Sequence, residues 1–222
     1  VTGEISAGSA TEPADSHTAR AGSKTAAADG KTARAGSSTS AGSSTSGKPA
    51  FFLAWTTTPW TLPSNLGLAL GPDVDYVMVE DGDECYILAE ARLGAYYKDT
   101  EACKILWKKK GAELAGVSYE PLFPYFAHLA TLEDGRHGAF RTLLGDFVTT
   151  SDGTGIVHTA PGFGEDDNKV FKGTGVPTVC PIDAECRFTA EVSDYKGLFV
   201  KDADKAIMER LKVEGKLVKR EQ

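Results

Sequence analysis

Pro59 sets the limits of what the stretch Trp55-Thr56-Thr57-Thr58-Pro59-Trp60-Thr61-Leu62-Pro63-Ser64-Asn65 can become. The apolar run Phe51-Phe52-Leu53-Ala54 before it reads as a buried strand, and proline must end that strand because it has no N–H to give to a ladder. Three threonines therefore crowd at a strand end. On an extended backbone Thr56 and Thr58 face one way and Thr57 the other, while Pro59, Pro63 and Asn65 set the turn beyond. A strand end rich in hydroxyls and free backbone N–H groups makes a small polar pocket wall.

A second stretch answers the first: Gly153-Thr154-Gly155-Ile156-Val157-His158-Thr159-Ala160-Pro161-Gly162-Phe163-Gly164-Glu165-Asp166-Asp167. Ile156 to Ala160 reads as a short strand carrying a histidine, and a Pro-Gly turn releases it. Asp166 and Asp167 then fall where a helix running through Phe171 would begin, a place that favours negative charge. Each feature also has a plain structural use. Threonine is a common strand former, a histidine in an apolar strand is often a satisfied core residue, and acids at a helix start are often only terminal charges. Gly153-Thr154-Gly155 lacks the spacing and the lysine of a phosphate-binding loop.

The remaining pattern is strand-rich. Leu66 to Leu70 reads as a strand stopped by Gly71-Pro72-Asp73, and Tyr76 to Glu80 pairs with Cys85 to Ala89 across Asp81-Gly82-Asp83 as a hairpin. Glu90 to Lys98, with Leu93, Tyr96 and Tyr97 at helical spacing, predicts a short helix. Cys103 to Trp107, Phe123 to Phe126 and Phe140 to Thr149 predict short extended or irregular pieces. Lys201 to Glu214 carries Ala203, Ala206, Ile207 and Leu211 on one stripe and predicts the longest helix, with Gly215 as its stop. Many short strands with few helices point to a mixed α/β, β-rich domain, compact and barrel-like, over residues 49–222.

Residues 1–48 differ in kind. They hold no Phe, Trp, Tyr, Leu, Met or Cys, and Ala-Gly-Ser-x-Thr recurs from Ala7, Ala21, Ala35 and Ala41. Such a segment buries too little apolar surface to offset its ordering entropy, so it is expected to be a disordered, low-complexity insertion or linker. It has no apolar core region of a signal peptide. Five of the 24 basic and four of the 31 acidic residues lie in it, which leaves the domain 19 basic against 27 acidic residues. That balance opposes strong autonomous RNA binding. The runs Lys108-Lys109-Lys110 and Lys212, Lys216, Lys219, Arg220 suit phosphates or a solvated face equally well. Cys85, Cys103, Cys180 and Cys186 show no paired C-x-x-C spacing, so no zinc site is expected, and reduced thiols fit a cytoplasmic chain. No run approaches the length of a membrane span.

Taken together, the two stretches resemble the editing domain inserted into isoleucyl-tRNA synthetase, a class I aminoacyl-tRNA synthetase, over roughly residues 51–222. The sister valyl and leucyl enzymes carry an Arg after the paired threonines, where this chain has Thr58-Pro59-Trp60. The resemblance implies the compact β-barrel-like editing fold and hydrolysis of valine wrongly joined to isoleucine tRNA. Position by position, it implies that Asp167 holds the α-ammonium group of the substrate and that Thr57 and Thr58 take part in the chemistry. Thr56, Trp60, Asn65 and His158 would shape the substrate pocket, with His158 facing the amino-acid side chain, and Asp166 receives no role. It further implies no metal and no cofactor for editing, ATP and magnesium serving only a full-length enzyme. The partners would be the acceptor end of the tRNA and the remaining synthetase in cis, around a monomer. Two other classes fit the sequence: an idle module that binds the tRNA acceptor end, and a general aminoacyl-ester hydrolase. The class I ATP-binding motifs are missing, which suggests a fragment.

Overall fold

In a computed structural model the described residues are 16–23 and 48–221. Strands β1 (Ser16–Ser23), β2 (Ala50–Thr56), β3 (Gly67–Leu70), β4 (Asp75–Asp81), β5 (Glu84–Ala89), β6 (Lys104–Lys110), β7 (Arg141–Leu144), β8 (Ile156–Thr159) and β9 (Leu217–Glu221) form one mixed sheet. Helices α1 (Leu93–Tyr96), α2 (Glu165–Phe171) and α3 (Val200–Val213) lie around it, with short 3-10 turns between. The fold is thus mixed α/β and strand-dominated, as the sequence pattern predicts.

The main path of the sheet runs β6-β4-β5-β2-β8-β3-β7. Its two outer strands are joined by the segment that follows β6. Ala112 N–H donates to Pro72 O at 3.0 Å, Gly116 N–H to Thr142 O at 2.9 Å and Tyr119 N–H to Phe140 O at 2.9 Å, so the chain carries the β6 end of the sheet across to β7. The main path of the sheet curls into a half-barrel.

The strand β2 explains its own composition. Phe52 and Ala54 belong to the large core cluster, whereas Leu53 packs on the opposite side with Val77, Val79, Leu88 and Leu93. A strand buried on both faces reads as a continuous apolar run instead of an alternating one. Its neighbours are parallel, β5 along Ala50–Phe52 and β8 at Trp55, which pairs with Val157. The other edge of β2 is met by β1, antiparallel from His17↔Thr56 to Ser23↔Ala50, and β9 pairs with β1 in turn. Ser16–Ser23 thus has strand form inside a stretch expected to lack structure. Ladder bonds to a waiting edge are made by backbone, so this pairing asks for no apolar side chains. The rest of that expectation falls on residues 1–15 and 24–47, outside the described residues.

Three expectations need correction. The strand ends at Thr56, because Thr58 turns its N–H onto Thr56 Oγ1 at 3.0 Å and a 3-10 turn, Pro59–Ser64, begins at once. Thr57 and Thr58 are therefore released from strict strand alternation. The turn also uses up its backbone donors: Thr61 N–H goes to Thr58 O at 3.0 Å and Trp60 N–H to Asp204 Oδ1 of α3 at 2.8 Å. The N–H groups of Thr58 and Thr61, expected to be free, are taken within the turn, and that of Trp60 is taken by α3. On α3, Ala206 is exposed, and Val200, Ala203, Ile207, Met208 and Leu211 form the buried stripe. The predicted hairpin stands as read, with Tyr76 opposite Ala89 and Glu80 opposite Cys85. Gly215 follows α3 with φ +67°, a conformation that costs a residue without Cβ little. Among the described residues no helix is long and apolar enough to cross a membrane.

Candidate functional site

Parallel pairing of Trp55 with Val157 sets the two sequence stretches side by side, and β8 is held on its far side by β3, with Leu68 opposite His158. Beyond the strand ends the first stretch turns through Pro59–Ser64 and the second through Pro161–Gly164 into α2. Between these turns opens a cleft of about 350 Å³. It is lined by Thr56, Thr57, Thr58, Trp60 and Thr61 on one side and by His158, Ala160, Phe163, Gly164 and Asp167 on the other. Two larger grooves lie near Glu214 and near Asp134, the first lined by Glu84, Glu120, Glu214 and Lys216 and the second by Glu133, Asp134 and Arg136 among neutral residues. Of these three, the first cleft gathers hydroxyls, a histidine and a half-buried carboxylate against aromatic rings.

The carboxylate of Asp167 sits in the first turn of α2, beside Glu165 and Asp166. One of its oxygens accepts the Ala160 N–H at 2.9 Å. Burial pushes its carboxyl above the ordinary range, only partly countered by that N–H, and the neighbouring Asp166 adds to the rise. The site thus disfavours a bare carboxylate, and a cation placed beside it would restore the charge. Gly164 makes this placement possible, since a Cβ there would lie 2.8 Å from Asp167 Cγ and Oδ2.

His158 is buried, and both of its ring nitrogens are engaged by protein. Nε2 lies 2.9 Å from Thr61 Oγ1 and Nδ1 lies 2.9 Å from Asn65 Nδ2. Burial lowers its pKa to about 4, so the ring is neutral at physiological pH. Asn65 does not line the cleft. It stands behind His158, donating to Gly67 O at 2.8 Å and accepting the hydroxyl of Tyr119. Trp60 and Phe163 meet edge to face across the mouth, with centroids 4.9 Å apart. Thr57 is exposed and Thr58 half-buried, and among the described residues neither hydroxyl has a hydrogen-bond partner, unlike those of Thr56 and Thr61.

Thr56, Thr57, Thr58, Trp60, His158 and Asp167 thus meet at one cleft, and Asn65 supports it from behind. Asp166 points away into an ion pair with Lys169 at 2.9 Å. Sequence reasoning passed over Thr61, although it lies inside the first stretch, and Phe163, whose position in a Pro-Gly turn was a signal that a ring stands in the open. Asp204 and Tyr119 gave no signal at all, being ordinary residues far from both stretches.

No family model matches the chain. Among curated proteins it is similar to the isoleucine–tRNA ligase of Treponema denticola, 63% identical over 196 residues that make up 82% of this chain and 18% of that protein. The ligase of Treponema pallidum is 55% identical over 186 residues, 82% of this chain and 17% of the relative. The chain therefore spans less than a fifth of these relatives' length. Among solved structures it is similar to GlLeuRS-CP1, with a TM-score of 0.58 and 16% identity over 79% of this chain and 85% of that one. The editing domain of the P. falciparum cytosolic leucyl-tRNA synthetase gives a TM-score of 0.55 and 11% identity, covering 79% and 80% of the two chains. At such identities the likeness is one of fold.

Proposed function

As a homologue of a segment of the isoleucine–tRNA ligases with the fold of a synthetase editing domain, the chain is, we propose, an aminoacyl-tRNA deacylase that removes valine from isoleucine tRNA. The observation that carries this reading is the cleft itself, where the half-buried carboxylate of Asp167 shares the lining with the hydroxyls of Thr57 and Thr58, which have no partner among the described residues. An aminoacyl ester brings an α-ammonium group, an ester carbonyl and a side chain. Asp167 suits the first, Thr57 and Thr58 suit the second, and His158 with Thr58 bounds the third. Because the turn's N–H groups are already used, polarisation of the carbonyl and placement of water fall to the two hydroxyls. The terminal ribose hydroxyl of the tRNA can assist, and the scheme calls for no protein nucleophile.

Selectivity follows from size. A pocket that accepts isoleucine cannot strongly refuse valine, since one methylene is worth only about 1–3 kcal/mol, a magnitude known from isoleucyl-tRNA synthetases and adopted as it stands. A second, smaller pocket completes the discrimination by admitting only the shorter side chain. Hydrolysis of valyl- and isoleucyl-tRNA by this chain, measured side by side, tests the reading; equal rates would remove it. Thr58→Ala is expected to enlarge the pocket and let isoleucyl-tRNA be hydrolysed, with discrimination falling roughly ten- to two-hundred-fold. If both rates fall together at an unchanged ratio, Thr58 places water or ribose and does not bound the side chain.

Gly164 offers a separate probe. The alanine methyl of Gly164→Ala would displace the end of a flexible side chain, not backbone, so the thermal midpoint should hold while the Asp167 carboxylate is pushed aside. Deacylation is expected to fall about ten-fold, the effect of mis-setting one charged contact. Unchanged kinetics in this variant would show that the position of Asp167 has wide tolerance.

A further inference from the structure

Behind the wall of the cleft runs a chain of hydrogen bonds that begins at Tyr119, in the segment between β6 and β7, and ends at the carbonyl of Thr58. Tyr119 O–H donates to Asn65 Oδ1. The amide of Asn65 gives one hydrogen to Gly67 O at 2.8 Å, with Thr159 O farther off at 3.4 Å, and its other hydrogen points at His158 Nδ1, 2.9 Å away. That nitrogen must therefore be the acceptor. The proton then sits on Nε2, which donates to Thr61 Oγ1, while the Thr61 hydroxyl donates onward to Thr58 O at 2.8 Å. Amide orientation is fixed by the backbone, because turning Asn65 over would set its oxygen against the Gly67 and Thr159 carbonyls.

We propose that Tyr119 and Asn65 are positioning residues that hold His158 as the neutral Nε2–H tautomer, so that the ring serves the cleft as a fixed, uncharged wall and takes no proton from the reaction. The inference deepens the deacylase reading and gives its side-chain pocket a physical cause. With both nitrogens turned to protein, His158 offers the cleft only carbon-bound hydrogens, a surface that suits an aliphatic side chain and cannot solvate a charged one. Because Nε2–H also fixes Thr61, the ring sets the height of the Thr58 turn and so the width of the pocket. The titratable groups around it do not favour an imidazolium strongly enough to break this pattern. Tyr119 is a phenol that burial holds protonated, Asp167 stands on α2 on the cleft's opposite lip with its own carboxyl raised by burial, and Asp204 of α3 is spent on the Trp60 N–H.

The test is a long-range ¹H–¹⁵N spectrum of the full chain labelled at histidine, recorded from pH 5 to 8, with a His158→Gln variant to assign the signal. One ring in the Nε2–H pattern, unchanged across the range, is expected; an imidazolium or an Nδ1–H ring at His158 overturns the proposal. In Asn65→Asp the new carboxylate can only accept, so Nδ1 must carry a proton and His158 is expected to become an imidazolium at pH 7. In Tyr119→Phe the amide is held on one side only. An Nδ1–H population is expected there, with the deacylation kcat down about ten-fold and KM kept. Wild-type ring signals together with wild-type kcat in Tyr119→Phe would show that Tyr119 positions nothing. The spectrum needs no substrate, so a locked ring in a chain that fails to deacylate would sink the deacylase reading alone, and a free ring in an active chain would sink this one alone.

Discussion

Replacing Asp167 by alanine is expected to abolish deacylation of valyl-tRNA while leaving the fold intact. Removing the partner of a desolvated ammonium costs about 2–5 kcal/mol, which lowers the rate roughly thirty- to several-thousand-fold. The fold should tolerate the loss, because burial already penalises this carboxylate and its one hydrogen bond is to the Ala160 N–H at the rim of the cleft. Asp167→Asn separates the two duties of the side chain, since an amide oxygen can still accept from Ala160 but offers no charge. It is expected to be as inactive as the alanine variant and as stable as the wild type. Single-turnover deacylation and a thermal midpoint for each variant decide it, and wild-type turnover in Asp167→Ala would end the assignment of the ammonium site.

Acid should weaken the domain through His158. In the fold its pKa stands at about 4, while in the unfolded chain it returns to the ordinary value of 6.5. A base whose folded pKa is depressed binds its proton more readily when unfolded, so its contribution is whole above pH 6.5 and is lost as pH falls towards 4. At about 1.4 kcal/mol per pKa unit the full loss is about 3 kcal/mol, of which about 2 kcal/mol falls between pH 7 and pH 5. Asp167 and Asp204 act with the opposite sign. Burial raises both carboxyls, so their contribution is present at low pH and fades as pH rises from the ordinary carboxylate range to their folded values, offsetting part of the loss only at the acid end. Urea unfolding at pH 7 and pH 5 should show the drop in the wild type and a flatter response in His158→Gln. Equal slopes in the two proteins would mean that the ring is accessible to protons in the fold.

What could be read in the sequence was whatever rests on local periodicity and punctuation. The hairpin of Tyr76 and Ala89 follows from two short apolar runs on either side of the turn Asp81-Gly82-Asp83, and α3 from its stripe and Gly215. The two stretches of the site were legible because each packs its chemistry into a few consecutive residues. The alternation of Thr56, Thr57 and Thr58 misled because it extends a strand rule past the point where Thr58 N–H turns back onto Thr56 Oγ1. The fate of the turn's N–H groups was hidden for a related reason: Trp60 is satisfied by Asp204, and no local pattern records a partner so distant. Tyr119 was illegible likewise, since its value lies in one hydroxyl reaching Asn65 through a buried core. The pairing of Ser16–Ser23 with β2 depends on an edge elsewhere and not on that segment's own composition.

The bond from Asp204 to the Trp60 N–H joins residues 144 positions apart. On a ribosome the threonine turn and the histidine strand emerge long before α3 does, and until Asp204 arrives one donor of the turn has no partner. This donor in the wall of the cleft is therefore satisfied only once α3 has docked. A nascent chain can thus carry every residue that lines the cleft while one backbone donor of its wall still waits for α3.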